Sequence, residues 1–289
     1  MTNTTADTLN KRSITTSQLS DFKLFAQYAA AAYCGTSIDD IAVGTQLVCS
    51  GENCPLVQAA NVTTTLEFST SVSDTSGYLA VDTTNELIVL SIRGTETLRN
   101  YISDLLFIRV DTAICDDCSA HSGFLESQLA IQSLVEAAIT SALANYPSYR
   151  VVMTGHSLGA AVATLVGATL RNAGIPCDII TFGSPRVGDV DLANYITAQD
   201  GITARITHLD DPVPQIPPVE VFGYYHTSPE YWLSDGSATT VDYDVADIVV
   251  CEGTDNTDCN AGTGILGFDT EAHMYYLDDT GACGTGFTF

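Results

Sequence analysis

The sequence predicts an α/β fold: a single domain with a mostly parallel central sheet covered by helices on both faces. Three observations carry that expectation. Short, almost wholly apolar runs rich in β-branched residues recur at 87–92, 151–153 and 177–182, the composition of strands buried on both faces. Segments of helical period lie between them, and this alternation of strand and helix gives a parallel sheet. No internal repeat or linker divides the 289 residues, of which 45% are hydrophobic and 16% charged, so one sizeable core is available.

Taken in order, residues 1–17 read as a flexible lead, polar and rich in Thr and Asn, ahead of a folded domain over 18–289. Within the lead, Lys11-Arg12 reads either as a pro-segment cleavage site or as two ordinary surface charges. Ser20 and Asp21 offer N-caps for a helix through Ala32, with Phe22, Phe25, Ala26, Ala29 and Tyr33 on one face. A cysteine-bracketed loop then runs to about residue 56. Threonine content and alternation predict a strand over 63–71, and two more strands at 77–81 and 87–92 flank a polar turn. Past Arg93-Gly94-Thr95, the residues Leu98, Tyr101, Ile102, Leu105 and Leu106 recur at helical spacing, a short amphipathic helix over about 97–106. A long helix over 123–146 places Ile131, Leu134, Val135, Ala138, Ile139 and Ala142 on its buried side, and Pro147 stops it. After the strand and small-residue helix around Ser157 come buried strands at 177–182 and 204–208. The second runs into Asp210-Asp211-Pro212-Val213-Pro214, where proline forbids regular structure, and short strands follow at 231–233 and 248–251.

Charge and cysteine content bound the function. Ten basic against 35 acidic residues give a net charge of −25, so nothing here could neutralise a nucleic-acid backbone, and docking on a strongly anionic membrane is opposed. No apolar stretch reaches the roughly 18 residues a membrane span needs. Nine cysteines point to an oxidising compartment and hence to secretion. Cys115 and Cys118 lack a second cysteine pair or paired histidines for zinc and read as a local bridge; Cys49 with Cys54, and Cys251 with Cys259, each bracket a loop. Cys34 and Cys283 could tie the two ends together, which leaves Cys177 as a buried thiol. Asn3 and Asn61 head glycosylation sequons.

The chemistry centres on Gly155-His156-Ser157-Leu158-Gly159, a Gly-x-Ser-x-Gly turn between an apolar strand and an uninterrupted helix. That context is the nucleophile elbow of an α/β-hydrolase. A serine nucleophile needs a base, and the base an orienting carboxylate. In this fold the acid and then the histidine follow the serine, which leaves Asp211 as acid and His226 or His273 as base. His156, His121 and His208 read as structural. Leu158 supplies one backbone oxyanion donor.

Several separate motifs carry a resemblance over about 21–283: Phe25-Ala26-Gln27-Tyr28, Ala32-Tyr33-Cys34, Ser91-Ile92-Arg93-Gly94-Thr95, the elbow, Gly183-Ser184-Pro185-Arg186-Val187-Gly188, Asp211-Pro212-Val213-Pro214 and Ser228-Pro229-Glu230-Tyr231-Trp232. The chain resembles the fungal secreted class 3 lipases of the Rhizomucor/Thermomyces type. The resemblance implies Asp211 as acid, His273 of Ala272-His273-Met274 as base, Thr95 as second oxyanion donor, and the bridges Cys34–Cys283, Cys49–Cys54 and Cys115–Cys118. Cys251–Cys259 is added from loop spacing alone. It implies a triacylglycerol or other lipid ester as substrate, met at a lipid–water interface, with no metal or organic cofactor required. Leu98, Tyr101, Ile102 and Leu105 then read as one face of a lid, with Tyr101 where family members often carry Trp. A feruloyl or short-chain esterase on the same scaffold is the alternative enzyme, and a catalytically dead binding module the non-enzyme alternative.

Overall fold

The computed structural model describes residues 14–34, 43–70, 75–95, 106–264 and 270–283. Asn3 and the expected lid residues Leu98, Tyr101, Ile102 and Leu105 lie outside the described residues. Among the described residues lie ten strands: β1 (Thr63–Ser69), β2 (Ser76–Asp82), β3 (Leu87–Ile92), β4 (Arg109–Asp111), β5 (Ser119–His121), β6 (Arg150–His156), β7 (Asp178–Phe182), β8 (Thr203–His208), β9 (Glu230–Leu233) and β10 (Ile248–Cys251). The α-helices are α1 (Thr16–Ala31), α2 (Pro55–Ala59), α3 (Ser122–Asn145), α4 (Leu158–Asn172), α5 (Val190–Ala198) and α6 (Val219–Phe222).

Eight strands form one sheet in the order β1-β2-β3-β6-β7-β8-β9-β10, while β4 and β5 pair separately. From β3 through β9 every neighbour is parallel; the outer pairs β1–β2, β2–β3 and β9–β10 are antiparallel. The two-residue period of a strand splits its side chains between two cores. Tyr78, Ala80, Val89, Val152, Ile180 and Ile206 meet Phe22, Phe25 and Tyr28 of α1 on one face. Leu79, Val81, Ile88, Leu90, Met153 and Ile179 meet α3 and α4 on the other. The alanines, valines and Gly167 of α4 let it lie close on the central strands: a Cβ at Gly167 would come within 2.6 Å of Ile179. Among the described residues no helix is long and apolar enough to cross a membrane.

Several local expectations need correction. Helix α1 starts at Thr16 and is capped by Thr15, whose hydroxyl accepts from the Gln18 amide at 3.1 Å while the Gln18 side chain accepts from the Thr15 amide at 2.9 Å. Thr-x-x-Gln is a capping box, and it outcompetes Ser20, whose hydroxyl instead bonds back to the Thr16 carbonyl at 3.0 Å. Ile14 is buried, so the folded body begins ahead of residue 18. Leu134 is 48% exposed; it precedes the buried Val135 by one position, about 100° around the helix from the packed stripe. Helices α2 and α5 and the β4–β5 pair were not apparent in the pattern. Pro55 opens α2 at the position that needs no amide donor, and the Asp189 carboxylate caps α5 through the Leu192 amide.

Cys34 is bonded to Cys283, Cys49 to Cys54, Cys115 to Cys118 and Cys251 to Cys259. Cys177 is a buried thiol, and burial pushes its pKa up to about 11. Asn61 is exposed in the turn before β1.

Candidate active site

Parallel strands bring their carboxyl ends to one edge of the sheet, and that edge gathers the chemistry. Ser157 follows β6 directly, at φ 57° and ψ −129°, a backbone state that costs an L-residue free energy and is held by the packing around it. A Cβ at Gly155 would lie 2.6 Å from the Gly159 carbonyl carbon, and one at Gly159 would collide with the Ile92 carbonyl oxygen. Only glycines allow this strand, turn and helix to approach so closely. The Ser157 amide donates to the Phe182 carbonyl at 3.0 Å, which ties the elbow to the end of β7.

Gly94 and Thr95 leave β3 beside the elbow. A Cβ at Gly94 would meet the Tyr33 hydroxyl, the His156 carbonyl at 2.7 Å and the Ser157 Cβ at 3.1 Å. Thr95 is half-buried. Leu158 opens α4, so its amide is among those with no carbonyl one turn earlier to bond.

Asp211 lies in the loop after β8 and is fully buried. Its Oδ1 accepts from the Val213 amide at 2.9 Å. Its Oδ2 accepts from His273 Nδ1 at 2.7 Å and from the Tyr276 hydroxyl. Asp210, one residue earlier, is exposed. Because Nδ1 donates to the carboxylate, the neutral His273 ring keeps Nε2 as an acceptor. That Nε2 and Ser157 Oγ are both buried and have no hydrogen-bond partner among the described residues. The two residues meet through their neighbours: a Cβ at Gly183, the residue after Phe182, would lie 3.0 Å from His273 Cε1. A buried hydroxyl and a buried imidazole nitrogen, both unpaired among the described residues, with a carboxylate behind the imidazole, are the groups that nucleophilic acyl transfer requires.

The other histidines are occupied. His156 Nδ1 pairs with the Tyr33 hydroxyl at 2.9 Å and its Nε2 donates to the His273 carbonyl at 2.7 Å. Burial, then the neighbouring His273, holds its pKa well below the usual imidazole value. His208 Nδ1 donates to the Ala272 carbonyl at 2.8 Å, so two buried rings fasten the peptide groups on either side of the His273 α-carbon. His226 donates to the Pro214 carbonyl at 2.6 Å, and Asp211 pairs with His273 instead. His121 caps α3 through the Phe124 amide and stacks on the Phe124 ring, centroids 4.1 Å apart; burial lowers its pKa to about 4. Sequence reasoning missed Tyr276. It lies three residues past His273, but nothing in the pattern says that its hydroxyl turns back to Asp211. Burial, then Asp211 itself, raises this phenol well above the usual range, so it stays protonated and donates.

The family model described as lipase (class 3) matches residues 89–221, and that of the lipase 3 N-terminal region matches residues 3–66. The secreted mono- and diacylglycerol lipase 1 of Fusarium solani is 42% identical over 93% of this chain and 79% of its own length. The crystal structure of a mono- and diacylglycerol lipase from Aspergillus oryzae superposes with a TM-score of 0.86 at 37% identity, covering 93% of this chain and all of that one. The Rhizomucor miehei triacylglyceride lipase does so with a TM-score of 0.81 at 28% identity, covering 94% of this chain and 99% of that one. With the elbow, the sheet order and these relatives in agreement, the chain belongs to the class 3 lipase family.

Proposed function

We propose that this lipase is a secreted serine hydrolase that cleaves the carboxylic ester bonds of acylglycerols through an acyl-enzyme, with Ser157 as nucleophile, His273 as base and Asp211 as orienting acid. The observation that carries the reading is the 2.7 Å bond from His273 Nδ1 to Asp211, which leaves Nε2 unpaired at the sheet edge where Ser157 stands. His273 takes the Ser157 proton as Oγ attacks the ester carbonyl, and Asp211 stabilises the imidazolium that forms. The Leu158 and Thr95 amides receive the developing oxyanion; losing one such donor costs about 3 kcal/mol of transition-state stabilisation. His273 then protonates the departing glycerol oxygen, and a water it activates releases the fatty acid. Secretion is supported by the secreted relatives and by the four bridges, which persist in oxidising compartments.

The finer assignment from the sequence is triacylglycerol. A second reading, preference for mono- and diacylglycerols, is favoured by 37% identity with the Aspergillus oryzae lipase of that name against 28% with the triacylglyceride lipase. Hydrolysis rates on matched mono-, di- and triacylglycerols of one acyl chain, with methyl ferulate alongside, separate the two. Comparable or faster cleavage of the triacylglycerol supports the first reading; turnover confined to partial glycerides supports the second. Turnover of the ferulate alone would overturn both.

A further inference from the structure

Asp211 reaches His273 from a turn of unusual shape. Leu209 stands at φ 38°, a left-handed conformation that a branched side chain rarely adopts, and Asp211 follows two residues later with its amide bonded to the His208 carbonyl at 3.0 Å. One side chain spans this turn. Asn260, 1% exposed, donates its amide to the Leu209 carbonyl at 3.1 Å and to the Asp211 carbonyl at 3.0 Å. Asn260 is itself fixed from other directions. Its backbone amide donates to Glu230 Oε1 at 3.1 Å, and its carbonyl accepts from Thr263 at 2.7 Å. Glu230 is a well-defined anchor: burial opposes its charge, but Arg205, 2.8 Å away, with Thr207 and the Asn260 amide, keeps its pKa below the usual carboxylate value. Immediately before Asn260, Cys259 is bonded to Cys251 at the end of β10, so the loop that carries the amide is fastened to the sheet.

We propose that Asn260 is a positioning residue for the acid of the triad, and that the Cys251–Cys259 bridge acts by holding Asn260 in place. The inference rests on the reading of Asp211 as that acid. A carboxylate two bonds from its backbone goes where the backbone puts it. Two N–H groups on one planar amide, aimed at carbonyls two residues apart, set the pitch of the turn. Trp232 Nε1 also reaches the Leu209 carbonyl, at 2.8 Å, so without Asn260 that end of the turn stays held while the Asp211 end loses its donor. The expected result is a tilt of Asp211 away from His273. A carboxylate further from the imidazole stabilises the imidazolium less.

The test is Asn260→Ala, with kcat and KM on a water-soluble p-nitrophenyl ester from pH 4 to 9. Active sites are counted with diethyl p-nitrophenyl phosphate, so that misfolded protein does not enter the rate. The expected result is a kcat per active site lower by about ten- to a hundredfold, with KM unchanged and the acidic limb of the profile moved to lower pH. The variant Cys251→Ser/Cys259→Ser should move both readouts the same way by less. Asn260→Ser, which keeps one donor and more of the fold, should fall between and serves if the alanine variant does not fold. An unchanged kcat per active site and an unmoved acidic limb overturn the proposal, whatever happens to thermal stability, since a purely structural role lowers the folded fraction only. Asp211→Asn separates the two levels. If it keeps the rate, the reading of Asp211 fails and the inference with it; if it abolishes the rate while Asn260→Ala leaves the readouts unmoved, the inference alone fails.

Discussion

Replacing Tyr276 by Phe removes one oxygen from a fully buried site and leaves the ring that fills it. The lost hydroxyl donates to Asp211 Oδ2, the same oxygen that receives His273 Nδ1–H at 2.7 Å. A hydrogen bond to a charged group contributes about 1.5–3 kcal/mol, and no cavity of consequence opens, so the variant should lose about that much stability. The catalytic effect has a definite sign. While Tyr276 shares Oδ2, the carboxylate has less charge to offer the imidazolium. Without it His273 binds its proton more tightly. If about half of the bond's contribution is redirected, the His273–Asp211 pair gains roughly 1 kcal/mol. The acidic limb of kcat/KM on a soluble ester should therefore move upward by less than about one pH unit, with the plateau above it little changed because neither reacting atom is altered. The assay is the pH–rate profile beside urea unfolding. An acidic limb that stays put or moves downward, in a variant with an unchanged unfolding midpoint, refutes the reasoning. The shift is opposite in sign to that expected for Asn260→Ala, so the two variants test the same carboxylate from two sides.

Other expectations follow from the same geometry. His273→Ala should be about as damaging to ester hydrolysis as loss of Ser157, since triad members act as a unit, whereas His226→Ala, which frees only the Pro214 carbonyl, should keep most of the rate per folded molecule; rates on protein shown folded by circular dichroism check the ranking. His121, held near pKa 4 when folded against 6.5 when unfolded, should make stability fall as pH drops from about 6.5 toward 4, because the unfolded chain takes up a proton that the native one does not. His121→Asn, which retains a capping side chain, should remove up to about 3 kcal/mol of that pH dependence, measured as unfolding midpoints across the window. For the amphipathic stretch around Leu98, Tyr101, Ile102 and Leu105, the sequence predicts a rate jump as tributyrin passes its solubility limit. Tyr101→Ser with Ile102→Ser should blunt it and leave turnover of a small soluble ester intact; simple saturation of the unmutated enzyme through that limit removes the lid expectation.

The sheet was legible because its strands carry a local signal. β3 carries the apolar run Leu87–Leu90 and β6 the run Val151–Met153, and the turn after β6 needs Gly159 because a Cβ there would collide with the Ile92 carbonyl. The capping box of α1 is legible in the spacing Thr15-x-x-Gln18, although Ser20 and Asp21 offer the same kind of side chain a turn later. The short β4 and β5 were not, since three residues carry no periodicity and their pairing depends on Val187 and Asp189 far along the chain. At the site, Ser157 and Asp211 sit at strand ends that the pattern marks. The choice of His273 over His226 came from resemblance, because both histidines follow the acid. Tyr276 and Asn260 reach Asp211 across 65 and 49 residues, and no local rule encodes a contact of that kind.

The central claim is that Ser157 is the nucleophile, made reactive by His273, whose Nε2 has no partner among the described residues. Labelling with diethyl p-nitrophenyl phosphate followed by peptide mass spectrometry tests it most directly. The predicted result is one phosphoryl group on the peptide that contains Ser157, loss of hydrolysis in step with labelling, and neither labelling nor hydrolysis in folded Ser157→Ala. Adduct formation on a different residue in step with inactivation, or substantial ester hydrolysis by the pure alanine variant, would contradict it.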